Sequence, residues 1–355
     1  MVGQERQRER NVKFGIFDHV DRSGLPLDEF YEQRLRITEL YDRSGFHGYH
    51  VAEHHFTPLG IAASPSVYLS SVIQRTKRLR IGSLVYTLPL YHPLRLAEEI
   101  CMLDHLSHGR LQVGLGRGIS PIESHYYGES SDKETSRQVY QETLDILLAA
   151  LTQKQVSYQG RYRQADNVPI ELQPAQRPYP PLWMGVQSFE NADFAAKYKM
   201  NMVCILEPEE MRSRIDRYRE TWRKLHGEEP SQDILTGLSM FIVVADTDEK
   251  AAEVADRSYR KWFESFNYLY RLHGRSPMLG ERANNFADLQ KLGRGIAGSP
   301  ETVTQFLSNK IDKAGINYLV GQFVFGDMSF EDASHSIDLF SRHVMPALGV
   351  VTQPA

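Results

Sequence analysis

The sequence predicts an α/β fold of the (β/α)8 TIM-barrel class with insertions. Short β-rich runs alternate along the chain with longer segments whose apolar residues recur at helical spacing. This alternation is typical of parallel strands joined by right-handed crossovers. Because there are eight such strand and helix pairs, a closed barrel fits better than an open doubly wound sheet.

The eight predicted strands are short and are rich in β-branched and other apolar residues. We predict them at residues 12–17, 48–53, 79–86, 111–116, 182–185, 202–206, 236–244 and 318–323.

Start signals mark several of the intervening helices. Pro26 and Pro93 lie near first turns, where the missing N–H of proline is not needed. The run Ser299-Pro300-Glu301 opens another helix, and Gly315 closes it. The last helix is predicted over residues 330–348.

Two stretches do not follow the simple repeat. Residues 153–180 are rich in Tyr, Gln and Pro, and residues 262–298 contain several aromatics followed by Gly, Arg and Asn. Both are predicted to be insertions on the barrel. Long insertions in compact domains are commonly lids or substrate loops, so the second is a candidate mobile cover over the site. A solvated surface excursion is the alternative.

Composition narrows the class of protein. The 355 residues include 41 Lys and Arg against 45 Asp and Glu, so 41 − 45 gives a net charge of −4. The hydrophobic fraction of 41% supplies a large core and excludes a disordered chain. The pI of about 6.4 argues against a nucleic-acid partner. The apolar runs fall far short of the roughly 18 residues of a membrane span.

We predict one domain over residues 12–349, preceded by a polar, disordered leader at 1–11. The leader lacks the apolar stretch of a secretory signal, which favours a cytoplasmic protein. Cys101 and Cys204 lie in apolar surroundings without a CxxC spacing. They are therefore predicted to be buried thiols and not part of a disulfide framework or a zinc site.

The second strand delivers two histidines to the predicted barrel mouth, where the active sites of this fold lie. It ends in Glu53, His54 and His55. This trio can supply a proton acceptor near neutral pH and a partner to orient it. Because side chains alternate along an extended chain, only one imidazole is expected to face a pocket squarely. A satisfied core histidine is the alternative.

The same region contains several candidate metal ligands. His47, His50, His54 and His55 lie close together in the sequence. However, HExxH is absent and strand alternation spreads these side chains over two faces, so no metal is predicted.

Two further strand ends are suited to a phosphate. The fourth ends in Gly116 and Arg117, whose glycine lets a ligand approach the backbone and whose guanidinium is a fork of donors. The fifth is followed by Gln187, Ser188 and Asn191 at a helix start. A tight turn and an ordinary N-cap are the respective alternatives.

The third strand ends in a β-rich edge around Leu84 and Val85, which could support a flat aromatic cofactor or be plain barrel core. Glu123 and His125 follow on the next loop, where solvated positions are expected.

Several motifs in one order resemble the flavin-dependent bacterial luciferase-like monooxygenases, from about residue 12 to residue 348. The matching blocks are Glu53-His54-His55-Phe56-Thr57, Leu84-Val85-Tyr86-Thr87-Leu88-Pro89 with His92-Pro93, Leu103-Asp104 with Ser107-His108-Gly109-Arg110, Gly114-Leu115-Gly116-Arg117-Gly118, Gly298-Ser299-Pro300-Glu301 and Phe325-Gly326-Asp327.

The resemblance implies reduced FMN, supplied by a separate flavin reductase, that reacts with O2 to a C4a-peroxyflavin and oxygenates a small organic substrate such as an aldehyde or ketone. His54 matches the family's active-site histidine, flanked by Glu53 and His55. Arg117, beside Gly116, matches the phosphate-binding arginine.

The same resemblance implies roles for the remaining cofactor-binding residues. Gln187, Ser188 and Asn191 match the other phosphate contacts, although luciferase carries Glu at the Gln187 position. Leu84 and Val85 match a non-prolyl cis peptide beneath the flavin.

The resemblance also favours a homodimer. Gly116 stands where the luminescent subunit has a cysteine, and Ser120 where it has an aromatic soon after the arginine, so light emission is not expected. Three alternatives remain open: a deazaflavin (F420)-dependent oxidoreductase of the same superfamily, a non-catalytic flavin-binding protein and a metal-dependent barrel hydrolase.

Overall fold

A computed structural model describes residues 12–118, 120–130, 132–277 and 282–349. The predicted leader at 1–11 lies outside this part of the chain. Eight parallel strands form a closed barrel, as predicted. They are β1 (Lys13–Asp18), β2 (Gly48–Val51), β3 (Arg80–Thr87), β4 (Leu111–Gly116), β7 (Leu182–Gly185), β8 (Asn201–Cys204), β9 (Thr236–Val244) and β11 (Tyr318–Gln322).

The barrel follows the chain order. Strands β1, β2, β3, β4, β7, β8, β9 and β11 pair in that sequence, and β11 pairs back with β1. In the register, Gly15 of β1 lies beside Gly48 and Val320. All carboxyl ends therefore meet at one mouth.

Helices cover the outside of the barrel. They are α1 (Leu27–Arg43), α2 (Pro65–Arg75), α3 (Pro93–Leu106), α4 (Pro121–Tyr126), α5 (Lys133–Thr152), α6 (Phe189–Lys197), α7 (Pro208–His226), α8 (Asp248–Leu272), α9 (Phe286–Lys291), α10 (Pro300–Ala314) and α11 (Phe330–Leu339), followed by a π-helical turn (Phe340–Val344) and α12 (Met345–Ala347). A 3₁₀ turn spans Leu88–Leu90. The Ser299 hydroxyl accepts from the Thr302 N–H at the start of α10, and Gly315 closes that helix at φ +64°.

The two predicted insertions differ in the structure. Within 153–180 lies an antiparallel hairpin of β5 (Gln155–Gln159) and β6 (Gln164–Pro169). Within 262–298, the first residues complete α8, and β10 (Gly295–Gly298) pairs with the carboxyl-terminal half of β9. The single insertion predicted there is therefore wrong at both ends. The many aromatic residues at the end of α8 obscured the helical spacing of its apolar positions. The strand β10 has only four residues, two of them glycine, so its sequence gives little indication of a strand.

The barrel interior is filled at its closed end by large side chains. Trp183 and Tyr318 are fully buried and pack together with ring centroids 5.2 Å apart. The Tyr318 hydroxyl lies 3.0 Å from His50 Nε2, and a side chain at Gly15 would collide with that hydroxyl. Gly15 is thus required by the close approach of an aromatic ring.

Burial also accounts for two of the four clustered histidines. Burial lowers the pKa of His50 to about 3. Burial and the charges of Lys13 and Arg80 lower that of half-buried His47 to about 3 as well, so both imidazoles are neutral. The two cysteines are buried free thiols, as predicted. Burial raises the pKa of Cys101 to about 11 and that of Cys204 to about 12. In the part of the chain that the structure describes, we find no helix with the length and apolar character of a membrane span.

Candidate active site

The predicted site residues follow four consecutive strands of the barrel. β2, β3, β4 and β7 are neighbours in the sheet. His54 follows β2, Leu84 and Val85 lie near the end of β3, Arg117 follows β4 and Ser188 follows β7. The barrel therefore brings them to one arc of the mouth, although they are up to 134 positions apart in the chain, since 188 − 54 = 134.

His54 is held by a carboxylate that the sequence did not single out. β2 ends at Val51, so residues 53–55 belong to the loop that follows the strand. His54 Nδ1 lies 3.2 Å from Glu123 Oε1. Because an ionised carboxylate only accepts, Nδ1 carries the proton and donates, which leaves Nε2 as the free nitrogen. The His54 side chain keeps 13% of its surface exposed.

The sequence prediction for Glu123 is wrong. It was expected to be solvated, but it is buried, whereas His125 on the same short helix is exposed as predicted. Burial alone would raise the pKa of its carboxyl. The charge of His54, with hydrogen bonds from His54 and from the His55 backbone N–H at 2.8 Å, instead holds that pKa below its ordinary value. Ser120 caps the amino end of α4, and its hydroxyl accepts from the Glu123 N–H, which fixes where Glu123 lies.

His55 differs from His54 because both of its ring nitrogens are occupied. Nε2 lies 2.9 Å from Glu53 Oε1, and Nδ1 lies 2.9 Å from the Tyr127 hydroxyl. Glu53 Oε2 also accepts from the Tyr91 hydroxyl at 2.7 Å and from the Thr87 N–H at 3.3 Å. Both imidazoles are thus hydrogen-bonded to a carboxylate, and that only one of them faces a pocket stays a prediction. The catalytic assignment of Glu53 and His55 stays a prediction.

Across from this loop lies a third histidine that the sequence analysis missed. His19, just after β1, stacks on His54 with ring centroids 5.8 Å apart. Trp262 of α8 donates from Nε1 to His19 Nδ1 at 3.4 Å. Burial, then the charges of His54 and Arg282, lower the pKa of His19 well below its ordinary value. His19 is thus a neutral neighbour of His54; its place after a strand was the available signal.

The floor of the arc is a close approach of β3 and β4. The Leu84–Val85 peptide is cis, as the resemblance implied. At this point the β3–β4 register shifts between Ser83 and Tyr86. A side chain at Gly116 would collide with Val85, so glycine is required there. Val85 therefore packs directly against the backbone of β4 at this point.

The predicted phosphate residues lie on the neighbouring strand ends. Arg117 is half-buried and, within the described residues, has no ion-pair partner. Gly185, at the end of β7, has open space where a side chain would lie. Ser188 is the N-cap of α6, and its hydroxyl accepts from the Asn191 N–H and donates to the Asn191 side chain at 3.2 Å. The ordinary N-cap interpretation therefore describes Ser188, and Gln187 is half-buried beside it.

This donor set fits an FMN phosphate and ring. An unpaired guanidinium and the amino end of α6 favour an anion. The cis Leu84–Val85 peptide, packed against Gly116, offers a support for a planar group. By contrast, no group of three or more His, Cys, Asp or Glu side chains within the described residues could hold a metal ion.

Comparison with known proteins adds to this geometry. The sequence model of the family described as luciferase-like monooxygenase matches residues 12–311. The chain is 38% identical to the protein y4wF of Sinorhizobium fredii over 95% of this chain and 98% of that one. It is 24% identical to the oxygenase component of a flavin-dependent trigonelline monooxygenase of Acinetobacter baylyi, over 72% of each chain.

Solved structures share the fold. The monooxygenase RslO1 of Streptomyces bottropensis has a TM-score of 0.84 at 23% identity, over 94% of this chain and 99% of that one. The oxygenating constituent of 3,6-diketocamphane monooxygenase of Pseudomonas putida, in complex with FMN, scores 0.78 at 19% identity over 97% and 99%. The coenzyme F420-dependent tetrahydromethanopterin reductase of Methanopyrus kandleri scores 0.70 at 19% identity over 95% and 99%.

Proposed function

Since the chain belongs to the luciferase-like monooxygenase family, we propose that it is the oxygenase of a two-component flavin-dependent monooxygenase. It takes reduced FMN from a separate flavin reductase and uses O2 to oxygenate a small organic substrate. The Acinetobacter relative is an oxygenase component by name, which supports the two-component arrangement.

One observation carries the proposal. His54 is oriented by Glu123 at 3.2 Å, and among the described residues its Nε2 has no hydrogen bond and Arg117 has no ion-pair partner. Both stand on the same arc of the mouth as the cis Leu84–Val85 peptide. A proton-transfer group, a planar support and an anion-binding cation are the three things that this chemistry requires of the protein. When bound, reduced flavin supplies the electrons that activate O2.

His54 handles the proton in this proposal. With Nδ1–H fixed on Glu123, the free Nε2 accepts a proton from a reacting group, and the Glu123 carboxylate stabilises the imidazolium that results. Glu123 is itself held by the His55 backbone N–H, so the imidazole has one orientation. Glu53 and His55 hold this loop through Tyr91 and Tyr127.

Arg117 binds the FMN phosphate, and the start of α6 at Gln187 and Ser188 adds backbone donors. Leu84, Val85 and Gly116 support the flavin ring. The ring of Phe56 contacts those of Tyr126 and Tyr127, and this aromatic rim reduces access of water to the mouth.

An F420-dependent oxidoreductase is the second candidate, because the likeness to the F420-dependent reductase covers 95% of this chain. Such an enzyme would transfer hydride without O2. The non-catalytic alternative is disfavoured by the intact pairing of His54 with Glu123.

The test is to bind reduced FMN anaerobically, mix the complex with O2, and follow flavin oxidation and peroxide release. We expect the protein to delay peroxide release relative to free reduced FMN, and a panel of aldehydes and ketones to divert oxygen into product. Release at the rate of free flavin, together with tight binding of F420, would overturn the proposal in favour of hydride transfer.

We also propose a homodimer located in the cytoplasm. Adjacent helices α2 and α3 carry exposed apolar side chains, Val67, Met102 and Leu106, which supports a contact surface on that side. Light scattering on the purified chain measures its mass against the monomer value of 40.7 kDa.

A further inference from the structure

A cavity of about 570 Å³ lies beside the barrel mouth, where the second half of α8 faces residues 275–277 and 282–288 as far as the structure describes them. None of the roles proposed above uses it. Its lining combines aromatic rings with arginines and amides: Phe263, Asn267, Tyr270, Arg271, Arg275, Arg282 and Asn284 are among these residues. A volume of this size accommodates a small organic molecule.

The arginines of the cavity have no carboxylate partner among the residues that the structure describes. Across the described ranges, Arg271, Arg275 and Arg282 form no ion pair or hydrogen bond with a carboxylate. Arg271 and Arg275 are exposed at the rim, and Arg282 is half-buried. The Asp288 carboxylate also lines the cavity, but it accepts from Lys291 Nζ and Asn285 Nδ2, each at 2.8 Å.

Arg282 is the informative member of the group. Its Nε is buried without a hydrogen-bond partner, and its guanidinium lies over the Phe266 ring at 5.2 Å from the centroid. Burial, together with the charge of Arg294, lowers the pKa of Arg282. A buried guanidinium nitrogen without an acceptor destabilises the fold, and a bound oxyanion would supply the missing acceptor.

A continuous series of aromatic contacts joins Arg282 to His54. From Phe266, which Arg282 covers, the path runs to Trp262, stacked at 5.2 Å, then to His19 at 5.5 Å and on to His54 at 5.8 Å. The cavity on the α8 side of the mouth is therefore linked through packed rings to the proton-transfer group on the β2 side. A molecule that spans them would place its charged end at Arg282 and its reacting end near the flavin.

We propose that this cavity binds an oxyanion of the organic substrate, and that the substrate is an aromatic or apolar carboxylate. The arginine forks match a carboxylate, and the rings of Phe263 and Tyr270 favour an apolar body. This assignment of the substrate class rests on the proposed function, whereas binding of the anion does not.

The test is calorimetric titration of the full chain, without flavin, with benzoate, neutral benzamide and phenyl phosphate. The variants are Arg282→Gln, Arg282→Lys and the matched control Arg260→Gln, which lies on the exposed side of α8 and pairs with Asp256. We expect benzoate to bind and benzamide not to bind. Arg282→Gln should weaken benzoate by about 10-fold to 100-fold, from the usual strength of a charge-assisted hydrogen bond, while Arg260→Gln leaves it unchanged.

Other outcomes overturn the proposal. Equal binding of benzoate and benzamide, or unchanged affinity of Arg282→Gln for benzoate, would show that the cavity does not recognise the negative charge of the ligand. Stronger binding of phenyl phosphate than of benzoate would reject the carboxylate class. Partial rescue by Arg282→Lys, with unchanged circular dichroism, separates loss of the site from loss of fold.

The two proposals fail separately. If benzoate binding depends on Arg282 but reduced FMN neither binds nor delays peroxide release, the anion site stands and the monooxygenase proposal falls. If reduced FMN behaves as expected but benzoate does not bind, the carboxylate class falls and the monooxygenase proposal stands.

Discussion

The two sides of the barrel mouth differ in how their charged groups are satisfied. On the β2 side, Glu53, His55 and Glu123 each have partners within 3.2 Å. On the α8 side, Arg271 and Arg282 have none among the described residues. The sides touch through Thr57, whose hydroxyl donates to the Ser265 carbonyl at 3.4 Å.

This difference distinguishes positioning from binding. A group that the fold pairs completely is held in one orientation before any ligand arrives, which suits a proton-transfer centre. A cation that the fold leaves unpaired has its strongest interactions still to make. We therefore assign ligand binding to Arg117 and Arg282. Glu53, Glu123 and His55 orient His54.

The largest effect is expected from His54→Ala. We expect loss of coupled oxygen transfer by about 10²-fold to 10⁴-fold, the usual contribution of general acid–base catalysis. Reduced FMN should bind nearly as in the parent protein, because His54 does not contact the phosphate. Product formed per flavin oxidised is the measurement, with His125→Ala as the exposed control. Unchanged coupling would remove His54 from the mechanism.

Arg117→Ala tests the unpaired group on the phosphate side. We expect FMN to bind about 10-fold to 100-fold more weakly, because a charge-assisted hydrogen bond is lost, while riboflavin, which has no phosphate, is little affected. Fluorescence titration with both ligands provides the measurement, and Arg95→Ala on exposed α3 is the control. If both ligands weaken equally, Arg117 does not contact the phosphate.

Glu123→Gln tests whether pairing positions His54. We expect about a 10-fold drop in turnover, in the range found for residues that orient another functional group. Flavin affinity should be retained, and the pH profile of turnover should move as the imidazolium loses its partner. Exposed Glu134→Gln should change neither quantity.

The same variant has a stability consequence with a definite sign. The native pKa of Glu123 lies below its ordinary value of 4.5. Its ionisation therefore contributes stability above about pH 4.5 that is lost as pH falls through the native pKa. The difference in melting temperature between the parent and Glu123→Gln should narrow under acid. A difference independent of pH would contradict the pairing.

Tyr127→Phe should give the smallest effect. It removes one neutral hydrogen bond to His55 Nδ1, 2.9 Å long at the rim, and a bond of this kind contributes about 1 kcal/mol. We expect a fall of a few-fold in coupling and little change in flavin affinity. Tyr268→Phe, exposed on α8, is the control. A loss as large as that of His54→Ala would mean that His55 itself reacts.

The sequence by itself determined the barrel and most of its strands. Its hydrophobic periods and helix start signals are local properties, and eight repeats leave few ways to bury the apolar faces. It also identified His54, Leu84, Val85 and Arg117 as strand-end residues. The boundaries were less certain, since β2 ends at Val51 and β10 was missed.

Only the tertiary structure decided which groups pair. Glu123 and His54 are 69 positions apart, and Trp262 and His19 are 243 apart, since 262 − 19 = 243. No local pattern records such contacts, because they arise when separate strand ends meet at one mouth. A charged side chain is paired only if a partner lies within about 3 Å in space, whatever its neighbours in the chain. The tertiary structure therefore decided that the carboxylates near His54 have partners and that the arginines near α8 have none among the described residues.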